Sequence, residues 1–162
     1  MAELTNLETK LGEVIGLAMA AQAATERVEK LTKDRKLVSA LKTMRNEAAQ
    51  AEKDGTAVAA SLNGKKNKIL TEARSVKTKG ATMMKTYLER GSDDLDGFEF
   101  LTMAEAGEVG HWSILQQLNK QAKHPGVRQL VSTHLPIQQR HLKQVLAASL
   151  ELAAKEDANA EA

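Results

Sequence analysis

The chain has 162 residues, of which 42% are hydrophobic, and a formal net charge of +2. This length allows one domain with a sizeable hydrophobic core. The absence of cysteine excludes disulfides and thiolate metal sites, and the 2% of aromatic residues argues against a β-sheet core. Ala, Leu, Lys, Glu and Gln, which favour helices, dominate the sequence, so we expect an all-α fold.

The start of the chain and its hydropathy bear on its location. The segment MAELTNLETK is polar and acidic and lacks the apolar core of a signal peptide. No apolar run approaches the ~18 residues that a membrane-spanning helix needs. The sequence therefore predicts a cytoplasmic protein that does not enter a membrane.

The first two predicted helices cover residues 5–31 and 35–62 and form a hairpin. In each, apolar residues recur every three or four positions, as on the buried face of an amphipathic helix. The polar segment LTKDRK separates the two helices, and Asp34 within it is suited to cap the second. Asn63 and Gly64 then form a typical helix stop.

A basic segment, residues 65–90, connects this hairpin to the rest of the chain. It is compatible with a helix, with a doubt at Gly80, and would span roughly 39 Å in that form. A helix of this length could carry the chain from one end of a bundle back to the other. Residues 64–90 contain eight basic and two acidic residues, which favours a solvated helix face. Phosphate contacts with nucleic acid through Lys65–Lys85 are the weaker alternative.

The second predicted hairpin covers residues 93–154. Its helices, 93–122 and 127–154, meet at the turn KHPG, and Pro136 is expected to kink the second of them. Residues 155–162 are predicted to be a frayed tail. We therefore expect a single domain, residues 1–154, built as a four-helix bundle of two antiparallel hairpins joined by a long helical crossover.

Polar side chains interrupt the apolar faces of both helices of the second hairpin at the same depth. An unpaired buried carboxylate costs several kcal/mol or is forced to take up a proton, so such a cluster needs a partner. Counting outwards from the turn places Glu108 level with His141, and His111 level with Gln138. The interrupting residues are Glu105, Glu108, His111, His134, Gln138 and His141.

A divalent cation would satisfy such a cluster. Glu108 and His111 lie three residues apart on the same side of a helix, so both can reach one ion. Carboxylate and imidazole ligands suit Fe, Mn or Zn. The alternative is a metal-free cluster that is satisfied by hydrogen bonds and buried water. The residues themselves leave these two interpretations open.

The segment EFLTMAEAGEVGHWSILQQLNKQA, followed by VRQLVSTHLPIQQRHLKQVL, resembles the ferritin-like superfamily. Within it, the likeness is to a bacterial stress-associated branch of poorly defined function. The resemblance implies a ferritin-like bundle with a di-metal site at its middle. In that superfamily, two helices each supply one Glu and the other two each supply an E-x-x-H motif. The resemblance also implies iron binding or oxidation, or the handling of peroxide.

Carried over residue by residue, the family motif is only partly present. Glu108 and His111 match one E-x-x-H, and His141 matches the histidine of the second. Gln138 stands where the glutamate of that second motif is expected. The resemblance therefore implies an incomplete di-metal site.

The first hairpin is expected to supply the remaining carboxylates. Glu47 lies near the right depth on the second helix, but the nearest acids on the first helix, Glu13 and Glu26, are more than a turn away. Glu105 and His134 are candidate substitute ligands. A single metal ion, or a site with altered ligands, fits this set better than a standard di-iron site.

Other functional classes stay open beside the metal-binding one. A metal-free structural or interaction bundle is the main alternative, and a basic protein that associates with nucleic acid is the weaker one. The small residues of GLAMAAQAA could bury a second surface in a dimer, so a homo-oligomer is expected. The sequence does not decide whether the protein is an enzyme.

Overall fold

The computed structural model describes residues 3–161, which form five α-helices and no strand. Residues 1, 2 and 162, which begin the predicted domain and end the predicted tail, lie outside the described residues. The predicted all-α class is confirmed. The helices α1 to α5 are Asn6–Leu31, Arg35–Ala60, Lys66–Tyr87, Asp94–Ala122 and Pro125–Ala153.

Hydroxyl or carboxylate side chains cap the starts of three helices, and a histidine caps a fourth. At α1, Thr5 accepts a hydrogen bond from the backbone N–H of Glu8, whose side chain accepts one from Thr5 in return. Asp93 and Asp96 form the same reciprocal pair at α4. Asp34 caps α2, as the sequence predicts. These caps satisfy N–H groups that have no partner within the first turn of a helix.

The turn between α4 and α5 is shorter than predicted. Pro125 already opens α5, because its fixed φ and missing N–H suit the first helical position. His124 is the N-cap, and its Nδ1 accepts a hydrogen bond from the backbone N–H of Val127 at 3.2 Å. The helix then continues through Pro136. His124, a residue of the predicted turn, is therefore the start signal of α5.

Four helices contact one another in a closed ring, α1 with α2, α2 with α5, α5 with α4, and α4 with α1. Each pair of neighbours in this ring is antiparallel, because residue numbers rise on one helix as they fall on the other. The contacts that fix these directions are Ile15–Gly55 and Glu29–Arg45 for α1 and α2, and Asp54–His134 and Glu47–His141 for α2 and α5. They are Thr102–Ser149 and Asn119–His124 for α4 and α5, and Glu13–His111 and Val28–Gly97 for α1 and α4.

The fifth helix, α3, packs chiefly on α1 and runs parallel to it. Glycines make this contact close. A Cβ at Gly16 would lie 2.3 Å from the backbone oxygen of Ala73, and a Cβ at Gly80 would lie 2.8 Å from the Cβ of Ala20. Gly80, the doubtful position of the predicted crossover helix, thus lies inside α3 and is explained by packing.

The buried apolar residues form two clusters rather than one. The first contains Leu11, Ile15 and Trp112, and the second contains Phe98 and Met44. Each cluster draws on α1, α2, α4 and α5. Between the clusters, α1 and α2 each have a gap of about two turns, and α4 and α5 each have a gap of about three turns. The gaps in α2, α4 and α5 carry the polar residues described below.

Membrane insertion is a separate question from core packing. Within the part of the chain that the structure describes, no helix combines the length and the apolar character needed to cross a bilayer.

The close packing of α3 on α1 can be tested with one methyl group. Gly16→Ala forces the backbone of α3 away from α1 and should lower the free energy of unfolding by about 1–3 kcal/mol. Gly110→Ala is the matched control, because a Cβ there meets no atom within 4 Å. It should raise stability by up to about 1 kcal/mol through helix propensity. Urea unfolding measures both, and equal effects of the two variants would contradict the account.

Candidate metal site

A layer of polar side chains lies between the two apolar clusters. We call it the polar layer and define it as Glu47 of α2, Glu105 and Glu108 of α4, and Gln138 and His141 of α5. The four residues of α4 and α5 are each at most 3% exposed, so the layer is almost dry on that side. Glu47 lies at the more solvent-exposed edge of the layer, and its side chain is 21% exposed.

His141 links three helices within this layer. Its Nε2 lies 3.3 Å from Oε1 of Glu47, and its Nδ1 lies 3.7 Å from Oε2 of Glu105. The imidazole is therefore placed between a carboxylate of α2 and a carboxylate of α4. The sequence predicts Glu108 opposite His141, whereas the shortest α4 carboxylate contact is one turn earlier, at Glu105.

Glu47 is held in its charged form. Burial on its own would raise the pKa of this carboxyl group, but hydrogen bonds from Arg140 and His141 outweigh burial and lower the pKa below its usual value. Arg140 lies on the exposed edge of α5 and donates to Oε2 of Glu47. At neutral pH the layer thus contains a carboxylate with two cationic or donating partners.

Glu105 and Glu108 are much less well satisfied. The Oε2 atom of each is buried and has no hydrogen-bond partner, and the same holds for Oε1 of Gln138. Burial, and secondarily the neighbouring carboxyl group of Glu105, raise the pKa of Glu108 well above its usual value. Native proteins seldom leave so many buried polar atoms unpaired in one place, which makes this cluster a candidate for binding a partner.

His134 belongs to a second polar contact, on the other side of Gln138. Its Nε2 lies 2.8 Å from Oδ2 of Asp54, while its Nδ1 has no partner. Its ring is 5.6 Å from that of Trp112, whose Nε1 is also unpaired. The contact of His134 with Asp54 was missed by the sequence analysis.

A signal for this pairing is nevertheless present in the sequence. Glu47 and Asp54 are seven residues apart on α2, and His134 and His141 are seven apart on α5. Because α2 and α5 are antiparallel, Glu47 pairs with His141 and Asp54 pairs with His134, and the two pairs lie about two turns apart along the helices. Matching acid and histidine spacings on separate predicted helices could have identified the contact.

His111 points to a different neighbour from the one that the family motif implies. Its Nδ1 lies 3.1 Å from Oε2 of Glu13 and 3.1 Å from Nζ of Lys10, both on α1. Its side chain is 39% exposed. The structure therefore brings Glu105, His141 and Glu47 together and places His111 with α1.

The chemistry and the geometry of the polar layer give different answers about a metal ion. Carboxylate and imidazole groups are suitable donors for Fe, Mn or Zn, and the side chains of Glu105 and Glu108 each have an unpaired oxygen. However, among residues 3–161 no group of three or more His, Asp or Glu side chains is arranged to hold a metal ion. The donor types fit a metal, and their present arrangement does not converge on one point.

Comparisons with known proteins add no assignment. No family model matches the chain, and no curated protein and no solved structure matches it.

The buried carboxyl of Glu108 predicts a specific pH dependence of stability. Between pH 4.5, the ordinary value, and its raised pKa, the folded state keeps a proton that the unfolded chain has released. Stability must therefore fall as pH rises through this window. With chelator present, Glu108→Gln should raise the melting temperature at neutral pH by about 3 °C or more, and the gain should vanish towards pH 4.5.

The control for this prediction is Glu99→Gln, which removes an exposed carboxyl from the same helix. Calorimetric melting of the three proteins across the pH range makes the comparison. A wild-type protein that is the more stable at neutral pH would contradict the assignment of an unsatisfied buried carboxyl to Glu108.

Proposed function

We propose that the protein is a ferritin-like bundle that binds a divalent transition metal ion in the polar layer. The observation that carries the proposal is the position of His141, between carboxylates of two other helices, beside buried oxygens without partners. Glu105, His141 and Glu47 would hold the ion, with Glu108 as the neighbouring carboxyl group. A bound cation would neutralise the carboxylates and satisfy the unpaired oxygens.

The helix order supports the ferritin-like part of the proposal. The two hairpins α1–α2 and α4–α5 pack side by side, and α3 runs along α1 between them in the chain. A helical connection along the length of a bundle is what a hairpin-crossover-hairpin plan requires. A cytoplasmic location, a role in bacterial stress and a homo-oligomeric state stay predictions from the sequence.

The donor arrangement limits what the proposal includes. Because the side chains do not converge as they stand, binding requires them to move towards a common point. Iron, when bound, would supply the redox chemistry for iron oxidation or peroxide handling that the family resemblance implies. The chain's own contribution is the dry, carboxylate-rich layer and the orientation of His141 by Glu47.

A metal-free structural or interaction bundle is the second candidate, and one observation favours it. Both buried histidines of α5 already have a carboxylate partner, His141 in Glu47 and His134 in Asp54. Histidines paired in this way can serve as inter-helix links that need no ion.

Elemental analysis and metal titration distinguish these two functions. The untagged protein should be purified without chelator and then loaded separately with Fe, Mn and Zn. We expect about one metal ion per chain, and a rise in melting temperature on loading. Glu105→Gln combined with His141→Gln should abolish both effects.

His111→Gln is the matched control, since it removes a histidine of the same helix hairpin whose imidazole lies with Glu13 and Lys10. It should retain the metal. No metal under any loading condition would refute the proposal and leave the metal-free bundle. Loss of metal in His111→Gln, with retention in the double variant, would refute the choice of ligands.

A further inference from the structure

The exposed large hydrophobic side chains lie on α4 and on the two helices beside it. Among residues 3–161 they are Met83, Tyr87, Met103, Ile114, Leu146 and Leu150, and none belongs to α1 or α2. Tyr87 stacks on Phe100 of α4, with ring centroids 6.0 Å apart. Met83 and Met103 border the same cavity of about 240 Å³ between α1, α3 and α4. The exposed leucines of α5 lie within one turn of Ser149, whose hydroxyl contacts α4.

The outer face of α4 carries no charge along most of its length. Over residues 100–119, all of which the structure describes, the Asp, Glu, Lys and Arg side chains are Glu105 and Glu108, and both are buried. Asp96 and Glu99 precede this stretch, and Lys120 follows it. A helix face that meets water normally carries charged residues. The uncharged stretch therefore has the character of a contact surface.

Glycines inside the described helices mostly have a packing role. Five of them face another helix so closely that a Cβ would lie 2.3–2.8 Å from one of its atoms. These are Gly12, Gly16, Gly55, Gly80 and Gly97. At Gly107 and Gly110 a Cβ would meet no atom within 4 Å, although each glycine weakens α4 by about 1 kcal/mol relative to alanine. The described chain does not explain these two glycines, whereas a helix that packs on α4 from outside does.

The outer face of α4 is complementary to itself. Met103, Gly107, Gly110 and Ile114 follow one another on this face at spacings of four, three and four residues, which read the same in both directions. A two-fold axis through the middle of the run sets Gly107 of one copy against Gly110 of the other. The same axis sets Met103 against Ile114. A face of this kind fits a symmetric dimer.

We propose that α4 binds α4 of a second copy of the chain, antiparallel, with the two-fold axis between Gly107 and Gly110. The glycines let the two backbones approach, and Met103 and Ile114 are removed from water. The dimer contact is thus on α4 and not at the run GLAMAAQAA of α1, where α3 already packs at Gly16. This inference goes beyond metal binding and does not depend on it.

Charge favours the same helix as the partner. Exposed acids lie near the start of α4 and exposed bases at its end. These are Asp96 and Glu99, and Lys120 and Lys123. Counted from the two-fold axis, Glu99 of one copy lies ~3 Å along the helix from the level of Lys120 of the other. Within the described chain Glu99 forms no ion pair, and Lys120 donates to Gln117 of its own helix. Opposite charges therefore meet at both ends of the uncharged contact.

The size of the contact sets the kind of dimer. Permanent homodimers bury larger surfaces than one pair of helices offers. We therefore expect a reversible dimer that forms as the protein concentration rises. Below its dissociation constant the face is exposed to water, and there Gly110→Ala acts through helix propensity alone.

Sedimentation equilibrium of the full, chelator-treated chain tests whether the dimer forms. Ile114→Glu should weaken the dimer at least about tenfold, because each dimer would then bury two added charges. Ala49→Glu is the matched control, since it adds the same charge at an exposed position of α2, and it should dimerise as the wild type does. Circular dichroism checks that both variants keep their helices.

Cross-linking tests the direction of the two helices. The chain has no cysteine, so Met103→Cys and Ile114→Cys each introduce a single thiol. A short bismaleimide should link the two proteins when they are mixed. It should not link either protein to itself, because the two copies of one position are then separated by ~16 Å along the paired helices. Mass spectrometry of the linked peptides identifies the products.

Reversal of the terminal charges tests the charge argument. Glu99→Lys and Lys120→Glu should each weaken the dimer about threefold at low salt, because each variant sets like charges against one another at both ends. The double variant restores opposite charges and should dimerise as the wild type does. In a parallel pair of helices, the double variant would restore nothing that the single variants had lost.

Three results would overturn the inference. They are a monomer at every concentration, equal dimerisation of Ile114→Glu and Ala49→Glu, and cross-linking of each single-thiol protein to itself but not to the other. The second result would place the contact on a different surface, and the third would make the helices parallel. Since chelator is present throughout, none of these outcomes depends on whether the polar layer binds a metal ion.

Discussion

The burial of two neighbouring carboxyl groups on α4 is the constraint on which the rest of the structure depends. Glu105 and Glu108 are one turn apart and both almost inaccessible, and no described contact gives either Oε2 atom a hydrogen bond. Such an arrangement opposes folding unless protons, cations or hydrogen-bond donors compensate it. The side chains around Glu105 and Glu108 therefore decide how these two carboxyl groups are compensated.

Glu105 and Glu108 have different kinds of neighbour on their two sides. Towards α5 and α2, His141 and Glu47 supply an imidazole and a charged carboxylate, which is the chemistry of a metal site. Towards α1 and α3, small residues leave an apolar cavity instead of a packed wall. The division of the core into two clusters creates room for both. Unpaired polar groups and incomplete packing between the two clusters lower the stability of the fold. Such a local loss of stability is typical of a functional site within an otherwise well-packed protein.

The sequence predicts more of the fold than of the site. Capping residues and the apolar periodicity locate α1, α2, α4 and α5 to within a few residues, because these signals are local; Asp34 is an example. The helix α3 was expected only as a helical connection between the two hairpins. The polar interruptions at Glu105 and His141 were also readable, because buried positions follow from helical spacing. The partners of His134 and His111 were not, since they lie on other helices and depend on how those helices rotate against each other. The cavity was invisible for the same reason, as its small residues are spread over three helices.

Crystals of the protein soaked in manganese, with anomalous diffraction recorded near the manganese edge, would test the central claim most directly. The account predicts an anomalous peak within bonding distance of Glu105 and His141, with their side chains drawn together relative to the arrangement described here. A polar layer that contains only ordered water, at a manganese concentration that saturates other sites on the protein, would contradict it. In that case the buried carboxyl groups would be satisfied by protons and water, and the bundle would hold no metal there.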